Sequence, residues 1–323
     1  MSERLIELFE QSDGGFVSGE HLSGVMGISR TAIWKQIERL KQQGYLFEAV
    51  PRKGYRLLSA PEKFPIAEFL SALQTERFGR QIKYSEEVES TQLVIQQLVQ
   101  AGAEEGALAL AELQTAGRGR LGRVWHSPKG KGLWFSVLLK PEWLNLADTP
   151  QLTLLTAVAV CRAIRAVTSL DVGIKWPNDL LVGGKKIGGI LLEASVENGS
   201  LRHVIAGIGI SVNLAPEDYP AELLEKATSL SIAAGTKIDR AALLNRILTE
   251  LEQVYALYRT EGFAPVKLLW EALTVSLGRR ISSTTAQGPI EGFAERIDDH
   301  GALSLRMDDG SVRILYSGDI DFR

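Results

Sequence analysis

The segment between residues 174 and 214 constrains the fold more than any other part of the chain. Two pairs, Gly183-Gly184 and Asn198-Gly199, separate short apolar stretches and are typical of tight β-hairpin turns. An antiparallel meander is therefore predicted. In its last strand apolar side chains alternate with a second set, which consists of Gly207, Gly209, Ser211 and Asn213. Such a small, polar face suits either a flat ligand or a closely packed helix.

Length and composition limit what the chain can be. Its 323 residues are too many for one compact core, so about two or three domains are expected. The single cysteine, Cys161, excludes a disulfide within the chain, and the four scattered histidines predict no metal site. The N-terminus has no signal-peptide pattern, and no apolar run reaches the roughly 18 residues of a membrane helix. We therefore expect a cytoplasmic protein without a membrane partner.

Residues 1–60 have the pattern of a winged helix-turn-helix domain. Ser18 and Ser29 are placed to cap two helices that Gly27 and Gly44 end, and two short strands follow around a basic turn. Residues 27–59 carry seven Lys or Arg and only two acids, although the whole chain has a net charge of −3. A basic element on an acidic chain indicates DNA binding. A solvated basic face and a protein-docking module are the alternatives.

The predicted DNA contacts are the basic and polar residues that lie off the apolar stripe of the third helix or in the turn of the wing. They are Arg30, Thr31, Lys35, Arg39, Arg52 and Lys53.

The stretch "GRGRLGRVW" at residues 117–125 combines glycines with arginines in one loop. Glycine lets backbone N–H groups turn toward an anion, and the planar guanidinium forks bind phosphate or carboxylate. The loop therefore indicates a phosphate site, with a nucleic-acid segment and a plain surface loop as alternatives. The phosphate-binding glycine pattern GxxxxGK[ST] is absent from the chain.

Further cations and polar groups follow along the chain. Lys175, Asn178 and Asp179 come from "KWPNDLL", and Lys186 precedes two glycines in "GGKKIGGILLE". Positive charges that converge beside a small-faced sheet suit a nucleotide and a carboxylate, because these anions must be neutralised before they meet.

These residues resemble the biotin–protein ligase family, specifically the bifunctional type that also represses biotin operons. The resemblance is carried by four stretches in this order: "GRGRLGRVW" at 117–125, "KWPNDLLV" at 175–182, "KKIGGILLE" at 185–193 and "GIGISVN" at 207–213. It implies an α+β protein with three domains. These are the N-terminal winged helix-turn-helix, a central α/β ligase domain with a mixed or antiparallel sheet at 61–272, and a small C-terminal SH3-like β-barrel at 273–323.

The resemblance also implies the chemistry. Biotin and ATP, with Mg²⁺, give biotinyl-5′-AMP, and biotin is then transferred to a lysine of the carboxyl carrier domain of a biotin-dependent carboxylase. The adenylate-bound protein is expected to form a homodimer and to repress genes of biotin synthesis or transport at operator DNA. A lipoate-type acyl-protein ligase and a non-catalytic biotin-sensing repressor are the alternatives.

Site residues follow from the matched stretches. The expected biotin contacts are Ser90, Thr91, Gln92, Gln114, Arg118, Gly119, Arg120 and Lys186. The expected contacts to ATP or the adenylate are Arg120, Arg123, Trp125, Lys175, Asn178, Ser211 and Asn213. Catalytic roles are expected for Arg120, Lys186 and Asp179.

One position departs from the family pattern. Ser211 stands where the family usually has asparagine, and Asn213 follows two residues later. If the strand continued, both side chains would share a face. Either Asn213 compensates for the missing asparagine, or Ser211 holds a water molecule.

Overall fold

The computed structural model describes residues 2–42, 44–60, 63–285 and 288–323. The chain divides into two compact units, one formed by residues 1–63 with 128–131 and the other by residues 64–127 with 132–323. Each unit is described by itself. The domain limits at 60/61 and 272/273 stay predictions, and residue 61 lies outside the described residues.

The first unit has the predicted helix-turn-helix followed by a two-stranded wing. Its elements are α1 (Ser2–Glu10), α2 (Gly19–Met26), α3 (Arg30–Gln42), β1 (Leu46–Val50) and β2 (Gly54–Ser59). The Ser18 hydroxyl accepts the backbone N–H of His21 at 3.1 Å, and the Ser29 hydroxyl accepts that of Ala32 at 3.2 Å. Gly27 ends α2 at φ +67°, a conformation that favours glycine. Local capping chemistry thus sets the boundaries of these helices.

The second unit contains the remaining elements. Its helices are α4 (Ile66–Ala72), α5 (Thr91–Gln100), α6 (Thr149–Thr168), α7 (Leu230–Ala234), α8 (Arg240–Glu261) and α9 (Phe263–Leu273). Its first seven strands are β3 (Ile82–Val88), β4 (Leu108–Gln114), β5 (Leu133–Leu139), β6 (Val172–Lys175), β7 (Asp179–Val182), β8 (Lys185–Glu197) and β9 (Ser200–Ile210). Its last five strands are β10 (Arg280–Thr285), β11 (Gly288–Ile297), β12 (Leu303–Arg306), β13 (Val312–Leu315) and β14 (Ile320–Phe322).

The central sheet is mixed, as predicted. Its order is β3-β4-β5-β9-β8-β7-β6, with β3 and β4 parallel and the other pairs antiparallel. Gly183-Gly184 and Asn198-Gly199 form the β7–β8 and β8–β9 turns, and all four residues have positive φ. The two sequence signals therefore placed both hairpins correctly.

The two faces of the sheet are covered differently. On one face, the apolar side chains of β9 join the main core with α6 and α8. On the other face, α5 packs through Ile95 across β4, β5 and β9, around a smaller apolar cluster that includes Ala109, Leu138 and Ile205. Because α5 covers only part of that face, the glycines at the end of β9 remain beside a cavity.

Helix α6 is a long core helix whose apolar residues are almost continuous. By length and composition alone, residues Leu146–Thr168 are apolar enough to cross a membrane. The sequence was expected to contain no such segment. However, 67% of the apolar window is buried inside the protein, which is the arrangement of a core helix.

The C-terminal strands form a small β domain, as the resemblance implies. Their antiparallel sheet has the order β13-β12-β11-β10-β14. The indole N–H of Trp176 donates to the carbonyl of Gly301 at 3.1 Å, and the Trp176 backbone N–H donates to the Ser276 hydroxyl at 2.9 Å. Ile281 and Ile320 belong to the main core. The C-terminal sheet is therefore packed firmly on the central one.

Candidate active site

A cavity of about 520 Å³ lies over the glycine face of β8 and β9. The glycine–arginine loop, the segment after β9 and the residues around β14 enclose it. Of the residues predicted to bind biotin or ATP, the structure brings all but one to this cavity, and the exception is Asn213. The predicted catalytic residues Arg120, Asp179 and Lys186 are among its lining.

A polar network shapes one end of the cavity. Ser90 caps α5, so Thr91 and Gln92 point from the first turn of that helix into the cavity. The Gln114 side-chain oxygen accepts the backbone N–H of Thr91 at 2.9 Å and its hydroxyl at 3.1 Å. The Gln92 amide donates to the carbonyl of Leu191 at 3.0 Å. These bonds fix amide and hydroxyl groups that suit a small polar ring.

The floor of the cavity requires glycine. A Cβ atom at Gly207 would lie 2.9 Å from the Gln92 amide nitrogen, and one at Gly209 would lie 2.4 Å from Nε1 of Trp125. A Cβ atom at Gly189 would lie 3.2 Å from the Trp125 ring. The small face seen in the sequence therefore lets Gln92 and Trp125 lie directly against the sheet.

The cations of the cavity are held by acceptors from the protein. The Arg120 guanidinium donates to Oδ1 of Asn178 at 3.0 Å and to the carbonyl of Gly318 at 3.1 Å. Nη2 of Arg123 lies 2.5 Å from Oδ2 of Asp319. An anionic ligand that enters must replace some of these acceptors, so binding exchanges one set of ionic contacts for another.

Lys186 has two partners in this state. Its Nζ atom lies 2.6 Å from Oδ1 of Asp179 and 5.2 Å from the centre of the Trp125 ring. Lys175 is placed more loosely, with Nζ 3.9 Å from Oδ1 of Asp321. The ammonium of Lys186 thus stands between the carboxylate of Asp179 and the aromatic wall.

The "KWPND" turn joins β6 to β7 and places its residues by packing. Trp176 is buried, as a core aromatic would be, and the Trp176–Pro177 peptide is cis. The Asn178 amide donates to the carbonyl of Ile190 at 2.8 Å, which leaves its side-chain oxygen for Arg120. Asn178 therefore orients the arginine that the loop supplies.

The structure separates Ser211 from Asn213. Ser211 lines the cavity, whereas the Asn213 amide makes two hydrogen bonds with the backbone of Ile238, at 2.9 Å and 3.0 Å. Strand β9 ends at Ile210, so strand alternation does not extend to Asn213. Asn213 therefore lies outside the lining of the cavity and does not stand in for the family's asparagine.

Some lining residues escaped sequence reasoning. Asp319 and Asp321 come from the C-terminal sheet, and Tyr219 and Lys226 come from the segment after β9. No local sequence pattern connects Asp319 or Asp321 with the distant arginines. Burial raises the pKa of Tyr219, and the nearby Ser211 hydroxyl lowers it in part, so its hydroxyl stays protonated at neutral pH.

Magnesium fits this site as a companion of the nucleotide. Within the described residues, no group of three or more His, Cys, Asp or Glu side chains is arranged to hold a metal. Mg²⁺ on ATP is held mainly by phosphate oxygens and water, with one or two carboxylates. Asp179, Asp319 and Asp321 are the carboxylates of the cavity lining. The donor set therefore suits Mg·ATP as a substrate.

The first unit presents a separate basic face. The six predicted DNA-contact residues are all exposed, while α3 buries Ile33, Ile37 and Leu40. Arg30 forms an exposed ion pair with Glu20 at 2.8 Å, which is weak in water. The predicted contact face of α3 is thus open to an approaching duplex.

Three family models match the chain along its length. The HTH domain matches residues 2–56, the Biotin/lipoate A/B protein ligase family matches 84–211, and the Biotin protein ligase C terminal domain matches 276–323. Both matches in the second unit cover residues that line the cavity.

Individual relatives and structures agree with this. The chain is 48% identical to the bifunctional ligase/repressor BirA of Bacillus subtilis over 98% of this chain and 97% of that protein. It is 31% identical to the protein of the same name from Escherichia coli, over 97% and 94%. A structure of the biotin protein ligase from Aquifex aeolicus in complex with biotin and ATP matches with a TM-score of 0.65 and 31% identity, over 76% of this chain and 99% of that chain.

Proposed function

Since the chain belongs to the biotin–protein ligase family, and to its bifunctional ligase/repressor type, we propose that it is an ATP-dependent biotin–protein ligase and a biotin-responsive repressor. The observation that carries this proposal is the convergence of Arg120, Lys186 and the glycine floor in one cavity. The same cavity also has polar groups from Thr91, Gln92 and Gln114 and an aromatic wall from Trp125, so it offers contacts for a carboxylate and for a nucleotide.

The first step joins two anions. An oxygen of the biotin carboxylate attacks the α-phosphorus of ATP, the bond from that phosphorus to the bridging oxygen breaks, and pyrophosphate leaves. Arg120 and Lys186 neutralise the carboxylate and the phosphate, so positioning and electrostatic stabilisation supply the catalysis. Mg²⁺ enters with ATP and screens the pyrophosphate.

The second step moves biotin to protein. The amine of an acceptor lysine attacks the acyl carbon of the adenylate, an amide bond forms, and AMP leaves. The amine must lose a proton before or during this attack. Once Lys186 turns to the ligand, the Asp179 carboxylate is released to interact with that amine. The acceptor is the carboxyl carrier domain of a biotin-dependent carboxylase.

The repressor role belongs to the first unit. Arg30, Thr31, Lys35 and Arg39 on α3, together with the turn of the wing, contact operator DNA. The adenylate-bound protein dimerises, so two winged helices engage two half-sites. Ligation and repression both take place in the cytoplasm, where ATP, biotin and DNA are present together.

Biotin transfer to a purified carrier domain tests the ligase. Intact-mass spectrometry should show biotin on one lysine when ATP and Mg²⁺ are present, and no modification when lipoate replaces biotin. Modification by lipoate instead would make the protein a lipoate-type ligase. No modification with either acid, together with biotin-dependent DNA binding, would make it a sensor without ligase activity.

A further inference from the structure

The edge of the central sheet that leads into the "KWPND" turn is held by residues 274–276, the segment between α9 and the C-terminal sheet. Strand β6 is the outermost strand of the central sheet and has four residues. Thr274 forms a parallel bridge with Ile174 of this strand. Segment 274–276 therefore supports a strand that is shorter than most and that β7 pairs on its other side.

Three hydrogen bonds join the segment to β6 and to the residue that follows it. The backbone N–H of Val275 and the hydroxyl of Thr274 both donate to the carbonyl of Ile174 at 2.9 Å. The backbone N–H of Trp176 donates to the Ser276 hydroxyl at 2.9 Å. The backbone is therefore fixed on both sides of the lysine that ends β6.

The contact between Ser276 and Trp176 lies in the interior. Ser276 is 0% exposed and Trp176 is 2% exposed. The indole N–H of Trp176 also donates to the carbonyl of Gly301, so the C-terminal part of the chain binds this tryptophan twice. Without the Ser276 hydroxyl, the buried backbone N–H of Trp176 would lose its acceptor, and such a group is costly to leave unpaired. The turn would therefore move to find another acceptor.

The anchored turn carries three polar residues of the cavity lining, which are Lys175, Asn178 and Asp179. The side-chain oxygen of Asn178 accepts the Arg120 guanidinium at 3.0 Å, and Oδ1 of Asp179 lies 2.6 Å from Nζ of Lys186. Both cations that we assign to the first step are therefore oriented by acceptors from one short turn.

We propose that Ser276 is a positioning residue of the ligase reaction. Its hydroxyl fixes the backbone of the "KWPND" turn, and the turn places Asn178 and Asp179 against the two cations. This assignment rests on the proposed function. Ser276 does not line the cavity, so its effect reaches the substrates only through the turn. The start of the C-terminal domain then contributes to catalysis without touching a substrate.

Ser276→Ala tests the assignment because it removes only the hydroxyl. In biotin-dependent pyrophosphate exchange its kcat should fall by about tenfold or more, since small displacements of catalytic groups are costly. The Kd for biotin without ATP should not change, because α5 and β4 supply the polar end of the cavity. Ser276→Thr keeps the hydroxyl and should retain most of the kcat. Ser304→Ala is the matched control, since Ser304 is 2% exposed in β12 and does not line the cavity.

Thermal unfolding separates positioning from a purely structural role. A lowered Tm with wild-type kcat, measured well below that Tm, would show a structural role and overturn the assignment. Wild-type kcat with a normal Tm would overturn it as well, and both results would leave the proposed function standing. Equal losses of kcat in Ser276→Ala and Ser276→Thr would also contradict it, because the hydroxyl would then not be the cause.

Hydrogen exchange of the wild-type protein checks the contact even if Ser276→Ala does not fold. The backbone amide of Trp176 should exchange slowly, because its hydrogen bond is buried. Rapid exchange at this amide would overturn the assignment. Absence of pyrophosphate exchange by the wild-type protein would contradict the proposed function and this assignment together.

Discussion

Nζ of Lys186 lies 2.6 Å from Oδ1 of Asp179, and both side chains line the same cavity. Only 34% of the Lys186 side chain and 23% of the Asp179 side chain are exposed, so water screens this pair less than a surface pair. A ligand that carries both a carboxylate and a phosphate is the natural competitor of Asp179 for the lysine. We therefore propose that Lys186 exchanges Asp179 for the anions of the ligand in the first step.

Lys186→Ala should shorten the lifetime of the bound adenylate without unfolding the protein. If the ammonium pairs with an anionic group of the adenylate, its removal acts mainly on the dissociation rate and should shorten the lifetime by about 30-fold or more. Release of labelled biotinyl-5′-AMP gives the lifetime. Lys83→Ala, at an exposed position of β3, is the control. A wild-type lifetime in Lys186→Ala would contradict the site assignment.

Arg120→Gly should also release the adenylate faster, by about tenfold or more, because a charge-assisted contact is lost. Arg120 lies in the loop and its hydrogen bonds join it to Asn178 and to the Gly318 carbonyl rather than to the apolar core, so folding should change little. The same release assay, with Tm measured beside it, checks this. Unchanged release would mean that the loop does not close on the ligand.

Gly209→Ala should impair biotin binding severely. The added Cβ atom would meet the Trp125 indole at 2.4 Å, so the ring must leave the floor of the cavity. Calorimetry should show a Kd for biotin raised by about tenfold or more, as for a displaced wall of a binding site. Gly24→Ala is the control, since a Cβ atom there meets nothing within 4 Å. Wild-type affinity in Gly209→Ala would place biotin elsewhere.

Lys35→Ala should weaken operator binding and leave ligation intact. If Lys35 contacts a phosphate, its removal reduces the slope of log K against log salt concentration by about one. Fluorescence anisotropy over a salt series measures this slope. Lys41→Ala, on the same helix but paired with Glu38 at 2.8 Å, is the control. Equal losses of DNA binding and ligation in Lys35→Ala would show that the two functions are not separable.

His300 gives the C-terminal sheet a pH-dependent contact. Its Nδ1 atom lies 2.9 Å from Oδ1 of Asp148, and this hydrogen bond raises the pKa of His300 above its ordinary value of 6.5. Since the folded-state pKa is the higher one, the stabilisation is complete below pH 6.5 and disappears as pH rises through the raised pKa. His300→Gln should therefore lower Tm at mildly acidic pH and match the wild type in alkaline buffer. A Tm difference independent of pH would contradict the ion pair.

Local signals predicted much of the fold. Helix caps such as Ser18, Ser29 and Gly27 bond to backbone groups within about one helical turn. A hairpin turn likewise depends on about four consecutive residues. Both features can therefore be predicted directly from the sequence. The grouping of Arg120 with Lys186 needed the resemblance, since the two residues are far apart in the chain.

Features that depend on packing between distant parts of the chain could not be predicted from the sequence. Asp319 reaches Arg123 only because the C-terminal sheet packs on the central one, and no local pattern records that approach. The expectation for Asn213 assumed that β9 continued, but the strand ends at Ile210 and the amide bonds to Ile238. No sequence pattern marked Tyr219, and only the structure places it in the lining of the cavity.

The most direct test of the central claim is biotin-dependent exchange of labelled pyrophosphate into ATP by the purified protein. Lipoate serves as the control acid. We expect exchange with biotin and none with lipoate, because we propose that Arg120 and Lys186, which both line the cavity, neutralise the biotin carboxylate and the phosphate of ATP. Absence of exchange with biotin, in protein that is folded and binds ATP, would contradict it.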